Sequence, residues 1–236
     1  IGNEAGTAIT TGDKNTTVGS RTLITNTTGS HNTALGYEIL YANTTASNNT
    51  GIGSGSLRYN TTGANNTAVG KDALNVNTTG TMNVAVGTYA ADANQTGSAN
   101  TCIGYNAGTA FTSDGITAIG KDALELCTTG NNTAVGANAL AAVTTSAQNT
   151  AVGQDALNVN TAANNTAVGA YTLLVNTTGT QNNAFGRGAL DANTTGANHV
   201  AIGNNALGAN TTADNNTAVG VNALTANTTG HSNVTV

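Results

Sequence analysis

The residues in this chain best suited to chemistry are its carboxylates. Asp122 and Glu125 stand three positions apart, and Asp155 follows two repeats later. Paired carboxylates on an extended β surface are the equipment that cleaves glycosidic bonds, one acting as acid and the other as base or nucleophile. These three, however, sit where charge of either sign recurs, as on a solvated edge. The histidines His31, His199 and His231 stand alone, and His199 replaces Asn in a repeated column. Cys102 and Cys127 fall at different places in their repeats and read as small buried side chains rather than as a disulfide. No phosphate-binding loop, zinc spacing or calcium-binding nonapeptide occurs. The expectation is a protein that is not an enzyme, with no catalytic residue, cofactor or metal. Asn-Thr-Thr, as at Asn26, Asn77 and Asn227, has the form of a glycosylation acceptor. The reading preferred here is a turn whose side chains bond to local backbone.

What positions these residues is a repeat. A glycine preceded by one apolar residue recurs fourteen times from Gly2 to Gly220, ten intervals being 17 residues and three being 16. A short fixed period means one small unit stacked many times. A representative unit runs Asn66-Thr67-Ala68-Val69-Gly70, Lys71-Asp72, Ala73-Leu74, Asn75-Val76, Asn77-Thr78-Thr79-Gly80. Seventeen residues are too few for a helix, a turn and a strand, whereas short strands joined by Gly and Asn-Thr-Thr turns fit. The pattern predicts an all-β fold, a parallel β-solenoid or β-roll of about fourteen coils, with residues 1–236 as one repeat array. Neither end carries a distinct capping unit, so the array is expected to be a segment of a longer fibre.

The columns of the repeat assign roles. The apolar residue before each glycine (Val69, Val135, Val219) and the Leu four places after it (Leu74, Leu140, Leu224) are expected to fill the interior. Gly70, Gly136 and Gly220 make the bends, and Ala73 allows close approach. Charges gather one, two and five places after the glycine and are expected to face water. The 16-residue units are expected to lose their residue in the turn after Thr-Thr. Seven places after the glycine, ten units carry Asn, as at Asn77, and the four exceptions are Ile9, Phe111, Cys127 and Val143. Gly6 and Gly108 replace the Leu in the units of Ile9 and Phe111. A larger residue filling the gap left by the missing Leu implies a shared interior. The Asn column then points inward as a hydrogen-bonded ladder.

Neighbouring side chains of a strand point to opposite faces. Ala68 beside Val69, and Ala73 beside Leu74, therefore make both faces apolar, and an apolar outer stripe calls for a partner. The simplest partner is the chain itself in a closed symmetric oligomer. The run Asn65-Asn66-Thr67-Ala68-Val69-Gly70, repeated at 165–169 and 216–220, resembles the head repeats of YadA-like trimeric autotransporter adhesins. It is also similar to the shafts of phage-type trimeric surface fibres. The resemblance implies a left-handed roll packed as a homotrimer, on a cell surface or virion, serving as stalk or adhesive head. Its unit here is longer than the family's, and Thr replaces Ser-Val. A net charge of −5 with six scattered Lys and Arg argues against nucleic acid or anionic membrane as partners. Tyr37, Tyr89, Tyr105 and Tyr171 lie in variable outer columns. The alternative function is an ice-binding solenoid with a Thr-rich face. It is disfavoured by Thr sharing a face with a Val taken to be buried.

Overall fold

The computed structural model covers residues 1–236, and its only regular elements are short β-strands. The chain divides into two compact units, Ile1–Ile116 and Thr117–Val236. The first holds β1 (Thr16–Val18), β2 (Thr33–Tyr37), β3 (Thr50–Ser54), β4 (Thr67–Val69), β5 (Val84–Val86) and β6 (Thr101–Ile103). The second holds β7 (Thr117–Ile119), β8 (Thr133–Val135), β9 (Thr150–Val152), β10 (Thr166–Val168), β11 (Asn183–Phe185), β12 (Val200–Ile202), β13 (Thr217–Val219) and β14 (Val234–Thr235). Within each unit consecutive strands pair in parallel, one per coil, with identical columns opposed: Thr50↔Thr67 and Ile52↔Val69, then Thr150↔Thr166 and Val152↔Val168. The fold is a parallel β-solenoid of about 14 coils with a 17-residue repeat.

The strand is Thr-Ala-Val because β-branched residues favour extended backbone. The following glycine ends it in most coils, with φ of +140° at Gly70, +138° at Gly136 and +134° at Gly220, while β2 and β3 run one residue past theirs. Close approach adds a second demand: a Cβ on Gly136 would stand 2.5 Å from the carbonyl oxygen of Gly153, one coil on. Each full-length coil then turns through left-handed residues two, four and twelve places after the glycine, as at Asp72 (φ 54°), Leu74 (φ 49°) and Met82 (φ 58°). A leucine in that region costs about 1–2 kcal/mol. Full burial of its side chain, worth about 1.5–3 kcal/mol, offsets that cost.

The interior is narrower than the sequence suggests, and the strand is turned over. Ala68, Ala73, Leu74 and Asn77 are all fully buried. Val69, Val135 and Val219, expected inside, point outward and are half-buried. Strand alternation forces this once the Ala preceding each of them faces in. The two Ala columns face each other across the lumen. Where the second column carries Ile39 instead, the next coil's Ala is replaced by Gly51, whose Cβ would collide with Ile39 Cγ2. No space remains there for an inward Val. The Leu gaps are filled as expected: Phe111 is fully buried, and a Cβ on Gly108 would lie 2.8 Å from its Cε1. Ile9 Cδ1 likewise lies 3.0 Å from a Cβ on Gly6.

The short coils lose a residue at the threonine pair itself rather than after it. Asn160-Thr161-Ala162 closes its turn with Asn160 Nδ2 donating to Ala162 O at 2.6 Å, two residues on, where full-length coils bond three residues on. The Thr side chains are exposed, so dropping one leaves the interior intact.

Gly108→Leu is therefore expected to destabilise the fold by about 2–4 kcal/mol through overpacking. Gly108→Leu with Phe111→Asn, which restores the usual pair, is expected to recover most of that loss. Denaturant melts of the two single variants and the double variant measure the coupling.

Candidate functional site

Two columns of asparagine carboxamides run through the interior. In the first, Asn43, Asn60 and Asn77 each donate from Nδ2 to the Oδ1 of the previous coil's Asn at 2.9, 2.9 and 2.7 Å. Each also donates to the carbonyl three residues ahead, as Asn77 does to Gly80 O at 3.0 Å. The second unit repeats this through Asn176, Asn193 and Asn210, at 2.7, 2.8 and 2.9 Å. Asn26 and Asn77 of the Asn-Thr-Thr triplets are thus buried ladder members, and Asn227 is a half-buried one. The ladder lapses at Phe111, Cys127 and Val143, all buried.

The second column stands four places before each glycine. Asn66 Oδ1 accepts the backbone N–H of Asn83 at 2.9 Å, and Asn66 Nδ2 donates to Gly80 O at 2.8 Å. The sequence places an Asn there in nearly every unit but does not reveal that it faces inward. His199 takes this place in one coil and reproduces both bonds. Its Nδ1 accepts the N–H of Asn216 at 3.2 Å, and its Nε2 lies 2.6 Å from Ala213 O, so the bonding pattern assigns the proton to Nε2. Burial is the main cause that lowers the His199 pKa below its ordinary 6.5.

Asp122 and Asp155 occupy the same column two coils apart. Asp122 pairs with its neighbour Lys121, Oδ2 to Nζ at 2.6 Å. Asp155 accepts from Asn138 at 2.9 Å and from Gln154 at 3.0 Å, and Asn138 stands in the coil between the two aspartates. Burial is the main cause that raises the pKa of Asp92 and Asp191 from the ordinary aspartate value. Both cysteines are free and buried, and burial pushes the Cys102 thiol up to about 12. His31 and His231 are exposed, and His231 Nδ1 accepts the N–H of Asp214 at 2.9 Å.

The charge columns face outward with one exception. Glu38 is only 4% exposed, because Arg21 and Arg58 from the flanking coils both pair with it, Arg58 Nη2 at 2.7 Å. Arg21 also reaches Glu4 at 3.5 Å and donates to the Tyr41 hydroxyl at 3.0 Å. Columns two and five places after the glycine are therefore neighbours on one flank.

The remaining feature is the outer strand face. Val18, Leu35, Ile52, Val69, Val86 and Ile103 form one row in the first unit. Ile119, Val135, Val152, Val168, Phe185, Ile202 and Val219 form the same row in the second. The best exposed of these, Val18, Ile52, Ile103, Phe185 and Ile202, keep 37–42% of their surface in solvent. The rest are half-buried. Beside it runs a half-buried Thr row, including Thr50, Thr67 and Thr150. No family model, curated protein or solved structure matches the chain.

Two outcomes follow from the interior columns. Asn77→Asp removes a donor and buries a charge, and is expected to cost about 3 kcal/mol or more. Asp72→Asn, at a partly exposed surface pair, is expected to cost under about 1 kcal/mol. Equal melting midpoints for the two variants would contradict an inward ladder. His199 is held neutral in the fold. Its stabilising contribution is complete above the ordinary pKa of 6.5 and falls as pH drops below it, until the folded ring itself takes a proton. His199→Asn is expected to flatten that part of the stability–pH curve.

Proposed function

We propose that the chain is a structural repeat segment of an extracellular trimeric fibre, a stalk or adhesive head, whose coils pack side by side along their outer strand faces. The observation that carries the reading is the unbroken apolar row beside the Thr row in each unit. Each half-exposed side chain leaves on the order of 40 Å² uncovered, from the area that corresponds to its burial energy. Within either unit the two rows sum to roughly 500 Å², inside the roughly 300–600 Å² of the apolar patches that mark interaction sites on single chains. Identical rows on identical chains suit a closed symmetric arrangement. The resemblance of Asn-Thr-Ala-Val-Gly to YadA-like head repeats supports three chains, a left-handed coil and a location on a cell surface or virion.

A second reading draws on the same face. The Thr and Val columns both point outward, contrary to the expectation that Val is buried. A regular Thr/Val array is the geometry an ice-binding surface would use, and it would need a free face and hence a single chain.

Light scattering separates the two. The trimer reading expects three times the chain mass of 23.1 kDa at micromolar concentration. It also expects dissociation to single folded chains on Val135→Glu with Val152→Glu, because charge in a dry interface is costly. A single-chain mass for the unaltered protein, together with inhibition of ice recrystallisation, would replace it by the second reading.

A further inference from the structure

The repeat fixes the interior, so whatever distinguishes one stretch of coil from another lies in the outer variable columns. The first unit concentrates its tyrosines there. Tyr37, Tyr41, Tyr59, Tyr89 and Tyr105 all lie one to six places after a glycine, whereas the second unit has only Tyr171. The rings are held in place. The Arg21 guanidinium lies over Tyr41 at 4.9 Å, Arg58 over Tyr59 at 5.1 Å and the Lys71 ammonium over Tyr89 at 5.3 Å. Tyr89 and Tyr105 meet edge to face at 6.3 Å, and Lys71 Nζ donates to the Tyr89 hydroxyl at 3.1 Å. Tyr37, Tyr59 and Tyr105 nevertheless stay 43–49% exposed. Rings held in this way, Tyr59 and Tyr105 among the exposed ones, lose little conformational freedom on binding.

The chemistry of this flank selects its ligand. Its cations Arg21, Arg58 and Lys71 are matched by Glu4, Glu38 and Asp72, each cation lying within 4 Å of one of these carboxylates. A nucleic acid or another polyanion needs unpaired cations, so a charged polymer finds no complement here. No pocket exists to engulf a small molecule. Flat amphipathic rings, ringed by planar hydrogen-bonding groups and repeated on coils stacked about 4.8 Å apart, suit an extended neutral chain with apolar CH faces and hydroxyl edges. We infer that the tyrosine flank of residues 36–105 binds a linear, uncharged polysaccharide, with Tyr37, Tyr59 and Tyr105 as its stacking platforms.

This deepens the adhesive-fibre reading by naming a ligand class; the flank borders the strand face that reading uses, with Tyr37 at the end of β2. Affinity electrophoresis of the whole chain tests it, in gels carrying soluble β-glucan, galactomannan or dextran, with heparin as the charged control. Retardation is expected in at least one neutral gel and not by heparin. Tyr37→Ala with Tyr59→Ala and Tyr105→Ala is expected to weaken it about tenfold, while the three corresponding Phe changes and Tyr171→Ala leave it within about twofold. Absence of retardation in every neutral gel, retention by the triple Ala variant, or binding to heparin alone would overturn the proposal. Light scattering on the same samples reports assembly separately, so a failure of binding is not confused with a failure to form three chains.

Discussion

Each coil of this chain is completed by the next one. The carboxamide of an inward Asn is satisfied partly by its own turn and partly by the Asn above or below it. The second Asn column accepts a backbone N–H from the neighbouring coil and donates to one of its carbonyls. A single coil would leave these groups without their partners, at a cost of several kcal/mol once they are buried. Stacked, the same groups bond in both directions along the axis. This constraint explains why parallel register is kept strand after strand: slipping by one residue would turn the Ala column outward and strand the amides.

Close stacking dictates the rest of the repeat. Glycine at the strand end is required twice over, by its φ and by the carbonyl of the next coil. The typical coil holds two small residues, one Leu and two amides in its lumen, and some substitutions there come in compensating pairs, as with Ile39 and Gly51 or Gly108 and Phe111. With the interior so small, the larger aliphatic residue of each strand is displaced to the outside. The outer Val and Ile row is a direct result of how narrow the inside is. Charged residues and tyrosines lie in columns past the bend, where Glu38 is buried only because two arginines enclose it.

Much of this was legible in the residues. The period gave the coil, and the exchange of Leu for Gly beside Ile9 or Phe111 revealed a common interior for two columns. Two things stayed hidden. Alternation says that Ala68 and Val69 face opposite ways but not which of them faces in. Hydrophobicity favours Val inside, and only the space opposite Leu74 and Ala73 decides for Ala. The inward turn of Asn66 was hidden because an Asn before a strand reads equally well as a surface turn residue. A signal did exist: His199 replaces it in one coil, and His can mimic both bonds of an amide while most polar residues cannot. The Arg21–Glu38–Arg58 network was invisible because its members lie in columns five and two places after different glycines.

The most direct measurement is hydrogen exchange of individual asparagine carboxamide protons by NMR. Those of Asn60, Asn77, Asn83 and Asn193, in the interior columns, are expected to exchange orders of magnitude more slowly than those of the exposed Asn65 and Asn215. Exchange at one common, solvent-like rate for all six would mean that the amides do not hold the coils together.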